Sequence, residues 1–427
     1  MNFIKTLYNV FLNASGIATD SRETVKNTIF FALSGENFNG NRFAETALTK
    51  GAILAVIDDP AYQKDERYFL VDNTLEILQQ LALFHRKQFN IPVIGITGTN
   101  GKTTTKELTT AVLQTTFNTI ATKGNLNNHI GVPLTLLRIH TNTEIAIVEM
   151  GANHPGEIDF LCNLALPTHG IITNIGKAHL EGFGNFEGVK KTKSELYNFL
   201  EQNDGTAFVN SDDTLLTDLS KKLNHYTYGT SKGDVKGEIR CHKPFLTINI
   251  DLGKKTISVA SQLYGSYNFP NMLAAAAIGN YFKVPDYAIQ SALENYLPAN
   301  NRSQQVTTSH NHLILDAYNA NPVSIANAIN SFKEAGFENE CLILGDMFEL
   351  GMSAAEEHQK VVDLLLSNSF RYVFLVGEHF AKTTHPFTHF DTTQKAVEFF
   401  SLNPLKGKTI LLKGSRGMHL ETLIELL

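Results

Sequence analysis

Residues 91–106, IPVIGITGTNGKTTTK, constrain this chain more than any other stretch. Val93, Ile94 and Ile96 make a short apolar run of the kind that forms a buried strand. Gly98-Thr-Asn-Gly101 breaks the run, and Lys102-Thr103-Thr104 opens a helical segment expected to extend to about residue 116. A strand, a glycine turn and a helix in that order predict a parallel α/β sheet whose loop can take phosphate. Glycines let backbone N–H groups converge on anionic oxygens, and the helix N-terminus adds partial positive charge. In such a loop Lys102 reaches the β/γ-phosphates of a nucleotide such as ATP, and the Thr103 hydroxyl holds Mg²⁺. Gly98, Thr99, Asn100, Gly101 and Thr104 complete the candidate cradle. The commonest pattern wants glycine where Ile96 stands, so Gly98 opens a shorter loop. A plain strand–helix turn is the competing reading.

The length of 427 residues suggests two to four domains. A net charge of −6 leaves no basic footprint, which argues against nucleic acid as the main partner. Cys162, Cys241 and Cys341 are far apart, with no metal spacing and no disulfide framework, as in a reducing compartment. The N-terminus reads as an amphipathic helix packed on the first domain, without the unbroken apolar region of a signal peptide. No run approaches the length of a transmembrane helix, so a cytoplasmic protein away from the membrane is expected.

Residues 1–90 read as a small α/β domain, with strands near 28–33, 53–57 and 68–71 and helices near 42–50 and 74–89. Asp20-Ser21-Arg22 reads on its own either as a binding turn or as a capped turn with a surface arginine.

Residues 91–297 read as a nucleotide domain with a parallel sheet. The segment 123–129, KGNLNNH, with Asn127 and Asn128, is too rich in amides for a core. An apolar strand over 145–150 carries Glu149 near its end, the position of a metal-side acid, with a cap or surface glutamate as the weaker alternative. A strand over 170–175 leads to His179 and a glycine-rich turn, which makes that histidine a site candidate. The helix 188–200 carries Lys190, Lys191 and Lys193, and by charge patterning alone all three belong to a solvated face. A helix over 212–222 and an alternating, antiparallel stretch over 237–262 follow. Pro270 then opens a helix over 270–282, and its run 273–278 reads as helix-packing surface.

Residues 298–427 alternate strands near 313–315, 342–344, 372–376 and 409–412 with helices near 322–335, 354–368 and 392–402, a second doubly wound, Rossmann-like α/β unit. Three strand ends carry unusual residues, in 316–322, 345–351 and 413–419. Ligands bind outside the carboxyl ends of such strands, so the three loops are expected to share one crevice.

Taken together, Thr97-Gly-Thr-Asn-Gly-Lys-Thr103, Glu149, the 174–179 segment, Gly124-Asn-Leu-Asn-Asn-His-Ile-Gly131, Glu149-Met-Gly-Ala-Asn-His-Pro-Gly-Glu157 and the three strand-end loops resemble the Mur ligases of peptidoglycan precursor synthesis. The likeness spans all three domains. It is greatest to the branch that joins D-alanyl-D-alanine to UDP-N-acetylmuramoyl-tripeptide.

The resemblance implies an ATP-dependent, ADP-forming ligase that makes an amide through an acyl phosphate. It assigns Thr103 and Glu149 to a first Mg²⁺ and His179 to a second. Lys193 becomes a family lysine that is often carbamylated and then faces metal, against the plain reading of its helix. Asn268 and Asn271 would contact the nucleotide base. Arg302, Asp316, Tyr318 and Asn319 would approach its ribose and phosphates. Lys413, Ser415 and Arg416 would meet substrate carboxylates, for which arginine's fork is suited. Ser21 and Arg22 with the loop 34–41 would meet the UDP end, and Asn127 and Asn128 the substrate. A monomer is expected. The chain departs from the family at Tyr267 and Asn41, where histidine is usual, and at Leu315, where an aspartate usually precedes Asp316. Competing readings are a superfamily ligase that adds a single amino acid, a P-loop regulatory ATPase, and a silent sugar-nucleotide binding module.

Overall fold

The computed structural model describes residues 2–23, 25–176 and 180–427. Its backbone groups into two units, 1–95 with 117–152 and 157–169, and 96–116 with 153–156 and 170–427. The division falls inside the Val93–Thr97 strand. Three sheets carry the α/β architecture that the sequence predicts.

The first sheet is all parallel and pairs Ile17–Ala18, Ile29–Phe31, Leu54–Ile57 and Tyr68–Leu70 in that order. Parallel strands are covered on both faces, and all three residues of Ile29–Phe31 are buried. The Asn2–Leu12 helix packs on the Thr74–Arg86 helix, with the Tyr8 hydroxyl 3.1 Å from His85 Nδ1. The expected helix 42–50 is split into a 3-10 turn, Gly40–Phe43, and a short α-helix, Ala44–Thr49. The Asn39 side chain caps the turn by accepting the Asn41 N–H. The helix expected to reach 89 stops at Arg86, whose buried guanidinium donates to the Phe89 and Ala165 carbonyls.

The nine-stranded sheet runs Thr256–Ala260, Thr247–Asp251, Val235–Cys241, Asn224–Gly229, Thr206–Asn210, His169–Ile172, Val93–Thr97, Ile145–Glu149 and Thr119–Ala121. The first three strands form the antiparallel extension expected over 237–262. From Val93–Thr97 the chain crosses to one side of the sheet, and from His169–Ile172 it continues on the other. The space between those two strand ends is a topological switch point, where ligands of open α/β sheets bind. The strand expected to reach 175 stops at Ile172, because Thr173 and Asn174 turn to bond the loop after Thr97. The helix expected over 212–222 is only Thr214–Leu219, capped by Asp213.

The run 273–278 is packing surface, as expected. The Phe269–Tyr281 helix is buried along most of its length and lies against Lys102–Gln114. A Cβ at Gly279 would come 2.5 Å from Val112 Cγ1, so glycine there permits the close approach.

The third sheet runs Gln304–Thr307, His312–Leu315, Thr409–Lys413, Glu340–Gly345, Tyr372–Val376 and Thr388–Phe390. Only the first pair is antiparallel. Separate apolar clusters cover its two faces, one around Phe332 and Leu344, the other around Phe400 and Ile343. The short strands Thr119–Ala121, Gln304–Thr307 and Thr388–Phe390 and the polar strand Asn224–Gly229 carry too little periodicity to be read from sequence. The same holds for the short helix Gly131–Leu136.

Candidate active site

The loop after Thr97 is held by the strand end beside it. Thr99 N–H donates to the Asn174 carbonyl, Asn100 N–H to Asn174 Oδ1, and Asn174 Nδ2 back to the Asn100 carbonyl. Thr173 Oγ1 donates to the Asn100 carbonyl at 2.6 Å, and Thr99 Oγ1 lies 2.9 Å from the Gly176 nitrogen. Gly98 (φ +142°) and Gly101 (φ +80°) lie in the positive-φ region that only glycine adopts freely. A Cβ at Gly98 would sit 2.0 Å from Thr173 Oγ1, and one at Gly101 2.5 Å from Asn271 Oδ1. Lys102 begins the Lys102–Gln114 helix and folds back, Nζ donating to the Gly98 and Thr99 carbonyls at 2.8 and 3.1 Å. Thr103 is buried in the first helical turn, and Thr104 is half-buried beside it. Sequence reading puts Thr173 and Asn174 inside the strand expected over 170–175, and Asn174 in the family-like 174–179 segment, without tying either to the loop.

In the other unit, Glu149 ends the Ile145–Glu149 strand and is 1% exposed. Its Oε1 accepts from Asn127 Nδ2 at 2.8 Å, and its N–H donates to Thr122 Oγ1. Asn127 therefore orients this carboxylate. Asn128 is exposed, its Oδ1 accepting the Ile130 and Gly131 N–H groups just ahead of and at the start of the Gly131–Leu136 helix.

Lys193 corrects the plain reading of its helix. Lys191 is exposed and Lys190 pairs with Glu187, but Lys193 is 2% exposed, its Nζ 5.6 Å from the centre of the Phe183 ring. The helix, Phe186–Gln202, turns that position inward. His179 lies outside the described residues.

Asn268 and Asn271 are both buried, and their amides are engaged inside the protein. Asn271 Oδ1 accepts from Thr105 Oγ1, Asn271 Nδ2 donates to Asn268 Oδ1, and Asn268 Nδ2 donates to the Tyr264 carbonyl. Tyr267, at the position of the family's histidine, puts its hydroxyl 2.8 Å from Ser303 Oγ, and burial pushes its pKa well above the ordinary tyrosine value. The Arg302 guanidinium lies 3.7 Å over the Tyr318 ring, while its buried Nε has no acceptor among the described residues. Arg416, exposed, approaches the same ring at 5.6 Å.

The three strand-end loops do meet. Lys413 Nζ lies 2.6 Å from Asp316 Oδ2. Ser415 N–H donates to the Asp346 carbonyl, and Ser415 Oγ accepts the Phe348 N–H. Asn319 Oδ1 accepts from Ala320 N–H. Asp346 itself is structural, its carboxylate accepting the His379 and Phe380 N–H groups. Asn321, which sequence reading did not single out, donates to Asn100 of the phosphate loop at 2.7 Å.

In the first domain, Arg22 is bidentate to Asp20 and its side chain is 88% exposed. That hydrogen bond holds the Asp20 carboxyl down to about 2. Ser21 is buried, and its carbonyl accepts from Lys50. Asn41, the other departure from the family, ties its loop to Asp58, Nδ2 donating to Asp58 Oδ1 and Oδ1 accepting the Asp58 N–H.

Comparison with known proteins matches three family models: "Mur ligase family, catalytic domain" over residues 13–86, "Mur ligase middle domain" over 96–279, and "Mur ligase, glutamate ligase domain" over 301–416. The UDP-N-acetylmuramoyl-tripeptide--D-alanyl-D-alanine ligase of Bacillus subtilis is 34% identical over 96% of this chain and 92% of its own length. The protein of that name in Escherichia coli is 32% identical over 97% and 94%. A crystal structure of MurF from Acinetobacter baumannii superposes with TM-score 0.86 at 29% identity, covering 99% of this chain and 97% of that one. MurF from Thermotoga maritima in complex with ADP gives TM-score 0.84 at 25% identity, with 97% of each chain covered.

Proposed function

The chain belongs to the Mur ligase family, and from that premise we propose that it joins D-alanyl-D-alanine to UDP-N-acetylmuramoyl-tripeptide with conversion of ATP to ADP and phosphate. The geometry that best supports this reading is the 98–103 loop, its glycines packed against Thr173 and Asn271 at the sheet's switch point.

A carboxylate acylates poorly because oxide is its leaving group. In the proposed reaction the tripeptide's terminal carboxylate oxygen attacks the γ-phosphorus and ADP leaves. The dipeptide amine then attacks the acyl carbon, phosphate leaves with the C–O bond electrons, and the amine's surplus proton is lost. The protein must position anions and offset their charge. N–H groups at the start of the Lys102–Gln114 helix hold the phosphates, and the Lys102 ammonium exchanges the Gly98 and Thr99 carbonyls for β/γ-oxygens. Arg302, stacked on Tyr318, approaches the nucleotide with Asp316 and Asn319. The buried amides of Asn268 and Asn271 support the loop and present the base-side wall. Lys413, Ser415 and Arg416 serve the substrate carboxylates, with Ser21, Arg22 and the 34–41 loop at the UDP end.

Thr103 supplies a hydroxyl and Glu149 a carboxylate, hard oxygen donors of the kind Mg²⁺ takes, so each residue's chemistry fits the metal. Bound there, Mg²⁺ would neutralise charge on the transferring phosphoryl group. A carbamate on Lys193 would turn a buried cation into an anion able to face metal, and His179 is proposed for the second Mg²⁺. Domains are proposed at 1–90, 91–297 and 298–427, in a cytoplasmic monomer. Among the described residues no helix is long and apolar enough to cross a membrane.

The test is ADP release by purified protein with ATP and the nucleotide-sugar tripeptide. Release should require D-alanyl-D-alanine and should not occur with single amino acids, and Lys102→Ala should abolish it. Release with ATP alone would favour a regulatory ATPase and sink the ligase reading.

A further inference from the structure

Asn100 lies at the tip of the phosphate loop, and Asn321 lies 221 positions later at the N-cap of the Pro322–Ala335 helix. Asn321 Nδ2 donates to Asn100 Oδ1 at 2.7 Å. The Asn321 amide and the Asn100 backbone have little freedom. Asn321 Oδ1 accepts the Ser324 N–H at 2.9 Å, and Ser324 Oγ accepts the Asn321 N–H at 3.0 Å, a reciprocal cap. A cap needs the side-chain oxygen on the helix side, so the NH₂ group must point away from the helix, toward the loop. Asn100 is held through its backbone by Thr173 and Asn174. The bond thus joins two prearranged groups and loses little entropy in forming.

Its place in the chain gives it a consequence. Asn321 closes the strand-end loop that begins at Asp316, and Asp316 pairs with Lys413 of the neighbouring loop. A shift of Asn321 would carry Asp316, Tyr318 and Asn319 with it, and Lys413 through its ion pair.

We infer that Asn321 is a positioning residue that registers the 316–322 and 413–416 loops on the phosphate loop through Asn100. The inference rests on the ligase reading above. The side chain touches no reacting atom and acts by setting where the residues around Asp316 and Lys413 stand when the phosphoryl group is transferred.

The experiment uses the full chain with ATP, the nucleotide-sugar tripeptide and D-alanyl-D-alanine. Asn321→Ser and Asn321→Asp keep an oxygen that caps the helix but lose the Nδ2 donor. Asn321→Ala loses both. The two cap-preserving variants should keep the wild-type melting temperature and lose roughly tenfold in kcat, the scale of one well-placed hydrogen bond. Asn100→Ser should lose a similar factor, and the double variant with Asn321→Ser should be no worse than the poorer single. Wild-type kcat in Asn321→Ser, or losses that multiply in the double variant, would overturn the inference. So would equal melting losses in all three Asn321 variants, which would make the residue merely structural. Amide exchange separates this from the ligase reading. ATP should slow exchange at residues 324–326 in the wild type and not in Asn321→Ser, whether or not ligation occurs. Failure of the wild type to require the dipeptide would strike the ligase reading alone.

Discussion

Lys413 Nζ lies 2.6 Å from Asp316 Oδ2, at the ends of two neighbouring parallel strands, with the lysine 2% exposed. Removing one partner of a buried pair leaves the other charge without compensation, which costs about 3 kcal/mol. Asp316→Asn should lower unfolding stability by that order and reduce ligation more than tenfold. Urea titration beside initial rates checks both. An unchanged unfolding midpoint would show that the lysine finds another counter-charge.

Gly98→Ala adds a methyl group where Thr173 Oγ1 would be 2.0 Å away, at a φ of +142°. Overpacking of this kind costs about 1–3 kcal/mol, and the backbone strain adds to it. Nucleotide affinity by calorimetry should fall at least tenfold. Gly184→Ala is the control for backbone strain alone, because its φ is +75° and no atom of the described residues lies within 4 Å of its added Cβ. Equal affinity in the wild type and Gly98→Ala would mean that the loop does not need its present geometry.

Lys193 is buried beside Phe183, where an ammonium is poorly solvated. Protein equilibrated with ¹³C-bicarbonate should show a carbamate carbon signal that is absent in Lys193→Met. That variant should lose at least a hundredfold in kcat while still binding ATP. A carbamate signal that survives in Lys193→Met would place the modification elsewhere.

Burial pushes the His85 and His358 imidazoles below the ordinary histidine value of 6.5, and pushes His169 down to about 4. For His358 the bonding agrees, since its Nε2 accepts the Met347 N–H and must be unprotonated to do so. The unfolded chain therefore binds more protons than the folded one between about pH 6.5 and pH 4. Stability from these groups is complete above pH 6.5 and is lost as the pH falls through that window. The Asp20 carboxyl, held at about 2, matters only below its ordinary 3.8. Melting temperatures should drop steadily from pH 7 to pH 4.5, with a shallower drop in His169→Gln. A flat profile would contradict the assignment.

The strand–glycine–helix unit at 93–114, the alternation of strands and helices in 298–427, and the helix surface at 273–278 are legible in the order of the residues alone. Each depends on periodicity or glycine placement within one short segment, which neighbours along the chain suffice to specify. Only the tertiary structure decided which of three similar lysines is buried, because Lys190, Lys191 and Lys193 differ by what packs over each of them. The same holds for Asn41, whose partner Asp58 lies 17 positions away, and for Asn321, whose partner Asn100 lies 221 away. Asn271, expected with Asn268 at a nucleotide base, accepts at its amide oxygen from Thr105, 166 positions earlier. Such hydrogen bonds join groups remote along the chain, so their existence depends on how whole elements pack and not on any local pattern.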